Sequence, residues 1–285
     1  MKKRNRFRKT KRFFANLYGK KLMRRRFNFE VHLIDSCNLN CKGCLHFSPL
    51  AKPNSFYPFE EFKKEIERLA ELFDGKFGWI HLLGGEPLLN PRIEDYLDVI
   101  GSNVKKGRVD IITNGLLIKK MPASFFEKCK KYGIIISITK YPINLNYEEI
   151  EEFVKGYGCQ IEFYGDKTKE TSFMTASLVA NSTMSYKKNY LDCKFSNACV
   201  TLYEGKLYYC SLPAYARFYN EEFGDTFDYS HDSISIYDHG KKEILDFLRK
   251  PHEFCKYCDL KYRQSHKMRW DLSKRVKEEW IIDEK

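Results

Sequence analysis

Three cysteines near the start of the chain have a spacing that suits a metal cluster. Cys37, Cys41 and Cys44 fall within eight residues, directly after the apolar run Val31–Ile34. Three thiolates on a loop that leaves a strand can bind one face of a cuboidal iron–sulfur cluster, and one iron then has no protein ligand. Structural zinc would need a fourth ligand, for which His46 is the local candidate.

Most of the other cysteines lie in the C-terminal third. Five of the ten in this 285-residue chain stand at positions 193, 199, 210, 255 and 258. We find no secretion signal, so clustered thiols predict metal ligands or catalysts rather than a disulfide framework. Cys129 and Cys159 are predicted to be small buried hydrophobes. Two β-rich runs flank Glu204-Gly205 and predict a hairpin.

Strands and helices alternate between the two cysteine groups. The patterns predict strands at 31–34, 79–83, 109–112, 134–138 and 160–164, and helices at 59–73, 91–104, 122–132 and 147–157. This alternation predicts a parallel sheet with functional residues at the carboxyl ends of its strands. Gly84-Gly85-Glu86-Pro87 follows the second strand, and Thr113-Asn114-Gly115 follows the third.

With these three motifs in this order, the sequence resembles the radical S-adenosylmethionine (SAM) enzymes. The resemblance covers about residues 28–190. It implies an α/β fold, an open partial (β/α)6 barrel that holds a [4Fe-4S] cluster. By that resemblance, Cys37, Cys41 and Cys44 bind three irons, and the amino and carboxylate groups of SAM chelate the fourth.

The resemblance also implies a set of SAM-binding residues. Gly84 and Gly85 would let the backbone approach the ligand closely, and Glu86 would act as counter-ion to the methionine ammonium group. Thr113 and Asn114 stand where the family contacts ribose and carboxylate.

One position departs from the family pattern. Many members carry an aromatic residue just before the third cysteine, where it borders the adenine, and this chain has Gly43 there. His46 or Phe47 is expected to form the adenine wall instead. A packed or solvated His46 is the alternative.

The C-terminal cysteines are similar to the Twitch form of the SPASM auxiliary domain, a β-hairpin followed by a helix. That resemblance assigns Cys193, Cys210, Cys255 and Cys258 as ligands of a second [4Fe-4S] cluster. Four thiolates suit zinc equally, so zinc stays an alternative. Cys199 is then a buried strand residue, a substitute ligand or a catalytic group.

The two resemblances together predict a radical SAM oxidoreductase. We expect it to cleave SAM reductively to a 5′-deoxyadenosyl radical, to abstract a substrate hydrogen, and to oxidise a carbohydrate or polyol alcohol, with the second cluster accepting an electron. The chain is similar in this to the aminocyclitol dehydrogenases. A peptide-modifying maturase is the second alternative, and a zinc-stabilised binding module is the third. Candidates for assisting proton loss are Lys140, Tyr141, Glu162 and Arg217.

The excess of positive charge lies at the N-terminal end of the chain. The net charge is +12, but thirteen cations precede the first acid, Glu30, and removing them leaves −1 for the rest. Residues 1–27 therefore form a basic extension with interspersed aromatics. We consider three alternative roles for this extension: a tail docked on the rest of the protein, peripheral contact with an anionic membrane, and nucleic-acid binding, which we favour least.

We predict four segments in all: the extension at 1–27, the radical SAM core at 28–190, the auxiliary cluster domain at 191–262 and a C-terminal helix at 263–285. A cytoplasmic location follows from the reduced thiols and the air-sensitive clusters. A flavodoxin or a ferredoxin-type protein is the expected reductant.

Overall fold

A computed structural model of the protein describes residues 27–164, 172–173, 176–196, 198–224 and 226–282. The basic extension, apart from Phe27, lies outside these residues, so its alternatives stay predictions. None of the helices within the described ranges combines the length and the apolar character that crossing a bilayer requires.

The N-terminal half of the chain builds five parallel strands. They are β1 (Phe27–His32), β2 (Lys76–Leu83), β3 (Lys106–Thr113), β4 (Ile135–Thr139) and β5 (Ile161–Tyr164). Each pairs in parallel with the next in chain order. The five predicted strands are confirmed. The first begins four residues earlier than predicted, because Phe27 and Phe29 are also buried in the core.

Four helices connect these strands, and their bounds lie within two residues of the predicted ones. They are α1 (Phe59–Phe73), α2 (Ile93–Asn103), α3 (Ala123–Tyr132) and α4 (Tyr147–Gly156). The helical spacing of Phe62, Ile66 and Leu69 places all three on the buried face of α1. Asp74 ends α1 in the left-handed conformation. Strong local periodicity is why these elements were predictable.

The C-terminal part of the chain extends the same sheet. After β5 come β6 (Ser172–Phe173), α5 (Tyr186–Asp192), β7 (Thr201–Tyr203), β8 (Lys206–Tyr208), α6 (Ser211–Phe223), β9 (Ser233–Ser235), α7 (Lys241–Leu248) and α8 (Leu260–Ser265). The strand order is β5-β4-β3-β2-β1-β7-β8-β9, and β7 runs parallel to β1. α5 spans the domain boundary that we predicted between residues 190 and 191.

The predicted hairpin at Glu204-Gly205 is confirmed as β7 and β8. Both turn residues have positive φ, 48° and 70°, which is the geometry of the tight turns that match strand twist. The strand parallel to β1 on its outer edge therefore comes from this hairpin.

Glu65 joins α1 to the hairpin. Its Oε1 accepts hydrogen bonds from the Tyr57 hydroxyl, at 2.7 Å, and from the Gly205 N–H. Its Oε2 is buried and has no hydrogen-bond partner among the described residues. Burial raises the pKa of this carboxyl to about 7, and the two donors oppose that rise.

The helix predicted over residues 263–285 is wrong for the part that the structure describes, which ends at residue 282. α8 ends at Ser265, β10 (Met268–Arg269) pairs antiparallel with β6, and a 3-10 turn occupies Lys277–Glu279. Long-range hydrogen bonds explain the difference, because part of the segment's backbone bonds to the cysteine loop and to Leu178 instead of forming a continuous helix.

Candidate active site

The residues predicted from sequence to bind SAM and the first cluster, apart from Phe47, line one cavity of about 290 Å³. The cavity lies where the loops leave the carboxyl ends of β1, β2, β3 and β4. Its lining includes the three cysteines and His46 of the first loop and, from the other loops and the C-terminal segment, Gly84, Gly85, Glu86, Thr113, Asn114, Tyr141, Met268 and Trp270. The parallel sheet thus brings the separate motifs of the sequence to a single place.

Gly84 and Gly85 let two loops pack closely. A Cβ atom at Gly84 would stand 2.1 Å from the Ile34 carbonyl oxygen, and one at Gly85 would stand 2.1 Å from the Ser36 carbonyl oxygen. The Gly85 N–H donates to Ile34 O at 2.8 Å. The absent side chains therefore make room for the backbone that leads into the cysteine loop, whereas we had expected them to make room for a ligand.

Glu86 ties the loop after β2 to the loop after β3. Its Oε1 accepts from the Thr113 hydroxyl at 2.6 Å and from the Leu88 N–H at 3.2 Å, and its Oε2 accepts from the Asn114 N–H at 2.8 Å. Burial raises the pKa of Glu86 to about 7, although these three donors favour the carboxylate. The proposed contact with the methionine ammonium group stays a prediction.

Asn114 connects the third motif to the cysteine loop. Its Nδ2 donates to the Asn38 Oδ1 at 2.8 Å and lies 4.0 Å from the Cys37 Sγ. Residues that the sequence separates by about 75 positions therefore form one hydrogen-bonded rim.

The cysteine triplet has the chemistry of a cluster site. Burial raises the pKa of the Cys37 and Cys41 thiols to about 12, so a bound metal is needed to hold them as thiolates at neutral pH. No three Cys, His, Asp or Glu side chains of the described residues converge as a single metal ion would require. A four-iron cluster takes its thiolates at separate corners, and a cavity lined by three thiols suits that arrangement.

The four candidates for proton transfer fall in different places. Tyr141 lines the cavity and hydrogen-bonds the Cys41 thiol. The Lys140 ammonium lies over the Phe163 ring, 4.3 Å from its centroid. Glu162 is paired with the Arg108 guanidinium at 2.6 Å. These two do not line the cavity.

Arg217 lies in a second cavity of about 440 Å³ between α1 and the hairpin. Its guanidinium pairs with Glu204 at 2.6 Å and stands 3.7 Å from the Asp35 carboxylate. The position of Arg217 could not be predicted from the ends of the strands, because it depends on how the hairpin joins the sheet.

His46 lines the cavity and belongs to a buried series of polar side chains. Its Nδ1 lies 3.1 Å from the His32 Nε2, and the His32 Nδ1 lies 2.8 Å from Asp35. Burial, aided by His32, lowers the pKa of His46 to about 3, which makes it a neutral imidazole. Phe47 is fully buried and stacks on Trp280 at 5.9 Å, so it does not line the cavity.

The motifs, their order along parallel strands and the common cavity agree with comparison to known proteins. Residues 31–151 match the model of the Radical SAM superfamily. The chain contains a radical SAM superfamily domain. A domain of this superfamily implies SAM and one [4Fe-4S] cluster as cofactors, and the residues predicted to bind them line the cavity described above.

Two curated proteins show local sequence similarity to the radical SAM domain. A GTP 3′,8-cyclase from Aquifex aeolicus (strain VF5) is 32% identical over 95 residues, which is 32% of this chain and 28% of that protein. A GTP 3′,8-cyclase from Sinorhizobium medicae (strain WSM419) is 25% identical over 157 residues, 53% of this chain and 40% of that protein. The chain therefore spans less than half the length of these relatives.

A solved structure of BtrN in complex with AdoMet and 2-DOIA is similar over 81% of this chain and 92% of its own. The sequence identity is 16% and the TM-score is 0.49. A similarity of this size concerns the fold alone.

The four C-terminal cysteines of the predicted second site also share a cavity. Cys193 ends α5, Cys210 precedes α6, and Cys255 and Cys258 lie in and after a 3-10 turn. Asn189 holds that turn, because its Nδ2 donates to Cys255 O at 2.9 Å and to Cys258 O at 2.8 Å. Three separate segments of the chain thus contribute four thiols to the lining of one cavity.

The remaining cysteines lie elsewhere. Cys129 and Cys159 are buried in the apolar core, as the sequence predicted. Cys199 lines neither cysteine cavity, and burial raises its pKa well above the usual value.

Sequence reasoning missed several residues that contact the cysteines. Trp270 lies in the segment that the sequence predicts to be a helix, and none of the sequence motifs includes Asn189, Tyr209 or Arg263. The Tyr209 hydroxyl lies 3.1 Å from the Cys255 Sγ, and Arg263 lines the four-cysteine cavity. No local pattern distinguishes Arg263 from the other 49 lysines and arginines of the chain.

Proposed function

We propose that this protein is a radical SAM oxidoreductase that oxidises an alcohol group of a carbohydrate or polyol and uses a second [4Fe-4S] cluster at Cys193, Cys210, Cys255 and Cys258. When bound, the cofactors supply reductive cleavage of SAM and a 5′-deoxyadenosyl radical that removes a hydrogen atom from a substrate carbon. A ketone product then requires the loss of one further electron and of the hydroxyl proton. The four-cysteine site is where we expect that electron to go.

The proposal of a second cluster rests on the buried charge of Arg263. This side chain is only 7% exposed, and among the described residues no carboxylate lies within ion-pair distance of it. One Nη donates to the Ala176 carbonyl, and the buried Nε has no partner. Arg263 lines the same cavity as the four thiols, and its interactions with Cys258, Cys193 and Cys210 raise its pKa against the effect of burial.

A buried cation without a counter-ion is costly, so Arg263 needs a negative partner. Neutral thiols do not provide one, but four thiolates that hold a metal centre do. Arg263 therefore has the position of a counter-ion to an anionic metal–thiolate site. Tyr209 adds a hydroxyl that can donate to a Cys255 thiolate, as ligands of iron–sulfur clusters commonly require.

The lining of the first cavity supports a hydroxylated substrate. Thr139 and Tyr141 line a cavity that is otherwise mainly apolar, and the Thr113 hydroxyl at its edge donates to Glu86. Such a site orients a polar ligand with few, placed hydrogen bonds while it keeps water away from the reacting carbon. Tyr141 is the only one of the four predicted candidates for proton transfer that lines this cavity, so we assign it the role of assisting loss of the hydroxyl proton.

Metal analysis after anaerobic reconstitution tests the second cluster. We expect about eight irons and eight sulfides per chain, and about four of each for the Cys255→Ala/Cys258→Ala double variant. Cys129→Ala is the matched control, because that thiol is equally buried but lies in the apolar core. About four irons in the unaltered protein, or zinc in the second site, would contradict the proposal.

Product analysis tests the reaction. Reduced protein is incubated with SAM and with polyols, aminocyclitols, GTP or a mixed peptide library, each deuterated at carbon. We expect deuterium in 5′-deoxyadenosine and a ketone only with the polyol or aminocyclitol set. Transfer from GTP or from peptides would instead identify a nucleotide-cyclising or peptide-modifying enzyme.

Two further proposals concern the surroundings of the enzyme. We propose a flavodoxin or ferredoxin-type reductant, because the SAM chemistry consumes a low-potential electron. We also propose that residues 1–27 bring the protein to an anionic membrane surface, where each Lys or Arg contributes about 1 kcal/mol. Flotation with anionic liposomes, comparing the full chain with one that begins at Asn28, tests the membrane contact.

A further inference from the structure

The C-terminal segment, residues 268–282, lies across the cysteine loop. The Lys42 N–H donates to Asp271 O at 2.9 Å, and the Ser273 N–H donates to Asn40 O at 2.8 Å. The Trp280 indole N–H donates to Cys44 O at 2.8 Å. The loop that carries the cluster ligands is thus held by backbone and side-chain bonds from residues more than 220 positions away.

The same segment occupies the space beside Gly43. This residue has a left-handed φ of 60°, and a Cβ atom there would stand 2.8 Å from the Glu279 carbonyl oxygen and 2.9 Å from the Met268 Cε. An aromatic side chain before the third cysteine would therefore collide with the C-terminal segment. The segment fills the position where the superfamily resemblance predicts an aromatic ring.

Trp270 places an aromatic ring in the cavity from that segment. It lines the cavity together with Met268, and its ring centroid lies 6.3 Å from that of Tyr141. Its indole N–H donates to the Cys41 Sγ at 3.2 Å. An indole joins a broad apolar face to a single polar donor, so one residue can serve both a ligand and a cluster sulfur.

We propose that Trp270 forms the aromatic wall against which the adenine of SAM packs, and that its N–H raises the reduction potential of the first cluster. This inference rests on SAM binding in the proposed function. Stacking of a base on an aromatic side chain is worth about 5- to 150-fold in affinity. A hydrogen bond to a ligating sulfur favours the reduced, more negative cluster.

Two substitutions separate the two roles. Trp270→Phe keeps a ring and removes the donor, whereas Trp270→Leu removes both. Leu272→Ala is the matched control, because Leu272 lies in the same segment, pairs with Cys41 through backbone only and is 55% exposed. Iron content of each variant is measured first, and binding is expressed per loaded cluster.

SAM affinity is measured anaerobically by calorimetry and by the change that SAM causes in the paramagnetic resonance spectrum of the reduced cluster. We expect Trp270→Leu to weaken binding at least tenfold, and Trp270→Phe and Leu272→Ala to stay within threefold of the unaltered protein. An affinity of Trp270→Leu for SAM within threefold of that of the unaltered protein would overturn the role of Trp270 as the adenine wall. Failure of the unaltered protein to bind SAM would instead overturn the proposed function.

The hydrogen bond is tested by redox titration of the first cluster in the absence of SAM. For Trp270→Phe we expect the ratio of reduced to oxidised cluster at a fixed potential to fall about threefold to tenfold. Tenfold corresponds to about 59 mV for a one-electron couple. A ratio unchanged from that of Leu272→Ala would overturn this role, and this titration decides it even if Trp270→Leu binds iron poorly.

Discussion

Replacement of Arg263 by glutamine is the most direct test of the second site. Gln keeps a polar amide but is about two bonds shorter than Arg, so the substitution removes the charge and the contact of the guanidinium with the Ala176 carbonyl. The oxidised cluster with four thiolates is already anionic, and reduction adds one more negative charge. Loss of the cation should therefore disfavour reduction and lower the potential of the second cluster.

The magnitude follows from Coulomb's law. The guanidinium lines the four-cysteine cavity, which puts its charge about 8 Å from the centre of a cluster bound there. At an effective dielectric constant of ~20, one unit charge at that distance contributes about 2 kcal/mol. For a one-electron couple this equals about 90 mV. We expect Arg263→Gln to lower the potential by that order, and Arg263→Lys to retain at least half of the effect of arginine.

The assay is an anaerobic redox titration followed by electron paramagnetic resonance. The Cys37→Ala/Cys41→Ala/Cys44→Ala background removes the first cluster, so that the signal belongs to the second. Arg92→Gln is the control for net charge, because Arg92 is exposed on the barrel and paired with Asp95 at 2.8 Å. A potential in Arg263→Gln within 20 mV of the control, with iron content preserved, would refute the reasoning.

Three further predictions follow from the geometry. Glu65→Gln should raise the free energy of unfolding relative to the unaltered protein, and this gain should be about 2 kcal/mol larger at pH 8 than at pH 5.5, because the folded carboxyl keeps its proton up to about pH 7 whereas the unfolded one loses it near pH 4.5. Urea unfolding at the two pH values measures the gain, and Glu67→Gln is the exposed control on the same helix. An equal gain at both pH values would contradict the prediction. Asn189→Asp should lose the iron of the second site but not of the first, because it sets a carboxylate against two carbonyls; full iron content would count against the role of Asn189. Gly85→Ala should lose the iron of the first site, because its Cβ would meet the Ser36 carbonyl at 2.1 Å, while Gly156→Ala, which meets nothing within 4 Å, should keep full iron content.

The chemistry of the first site could be predicted from the sequence because its residues follow local rules. The cysteine triplet, Gly84-Gly85-Glu86 and Thr113-Asn114 each come directly after a strand with strong apolar patterning. Parallel strands bring their carboxyl ends to one edge, so a motif after each strand is enough to predict a shared site. The same logic predicted the hairpin, since Glu204-Gly205 has the residue types of a tight turn.

Contacts between distant segments could not be predicted in this way. Lys140 and Glu162 lie near strand ends but turn to Phe163 and Arg108, because side-chain direction depends on strand pairing and register. The C-terminal segment has a composition that suits a helix, yet part of its backbone bonds to the cysteine loop and to Leu178. Propensity is a weak local preference, and long-range bonds overrode it.

The sequence by itself determined the two groups of cysteines and the alternation of strands and helices that is typical of a radical SAM domain. Only the tertiary structure decided what surrounds the thiols: the buried cation Arg263 at one site and the Trp270 indole at the other. The physical reason is that coordination depends on residue type and short spacing, whereas charge balance and cavity walls depend on which remote segments pack there. No sequence-local signal encodes that packing.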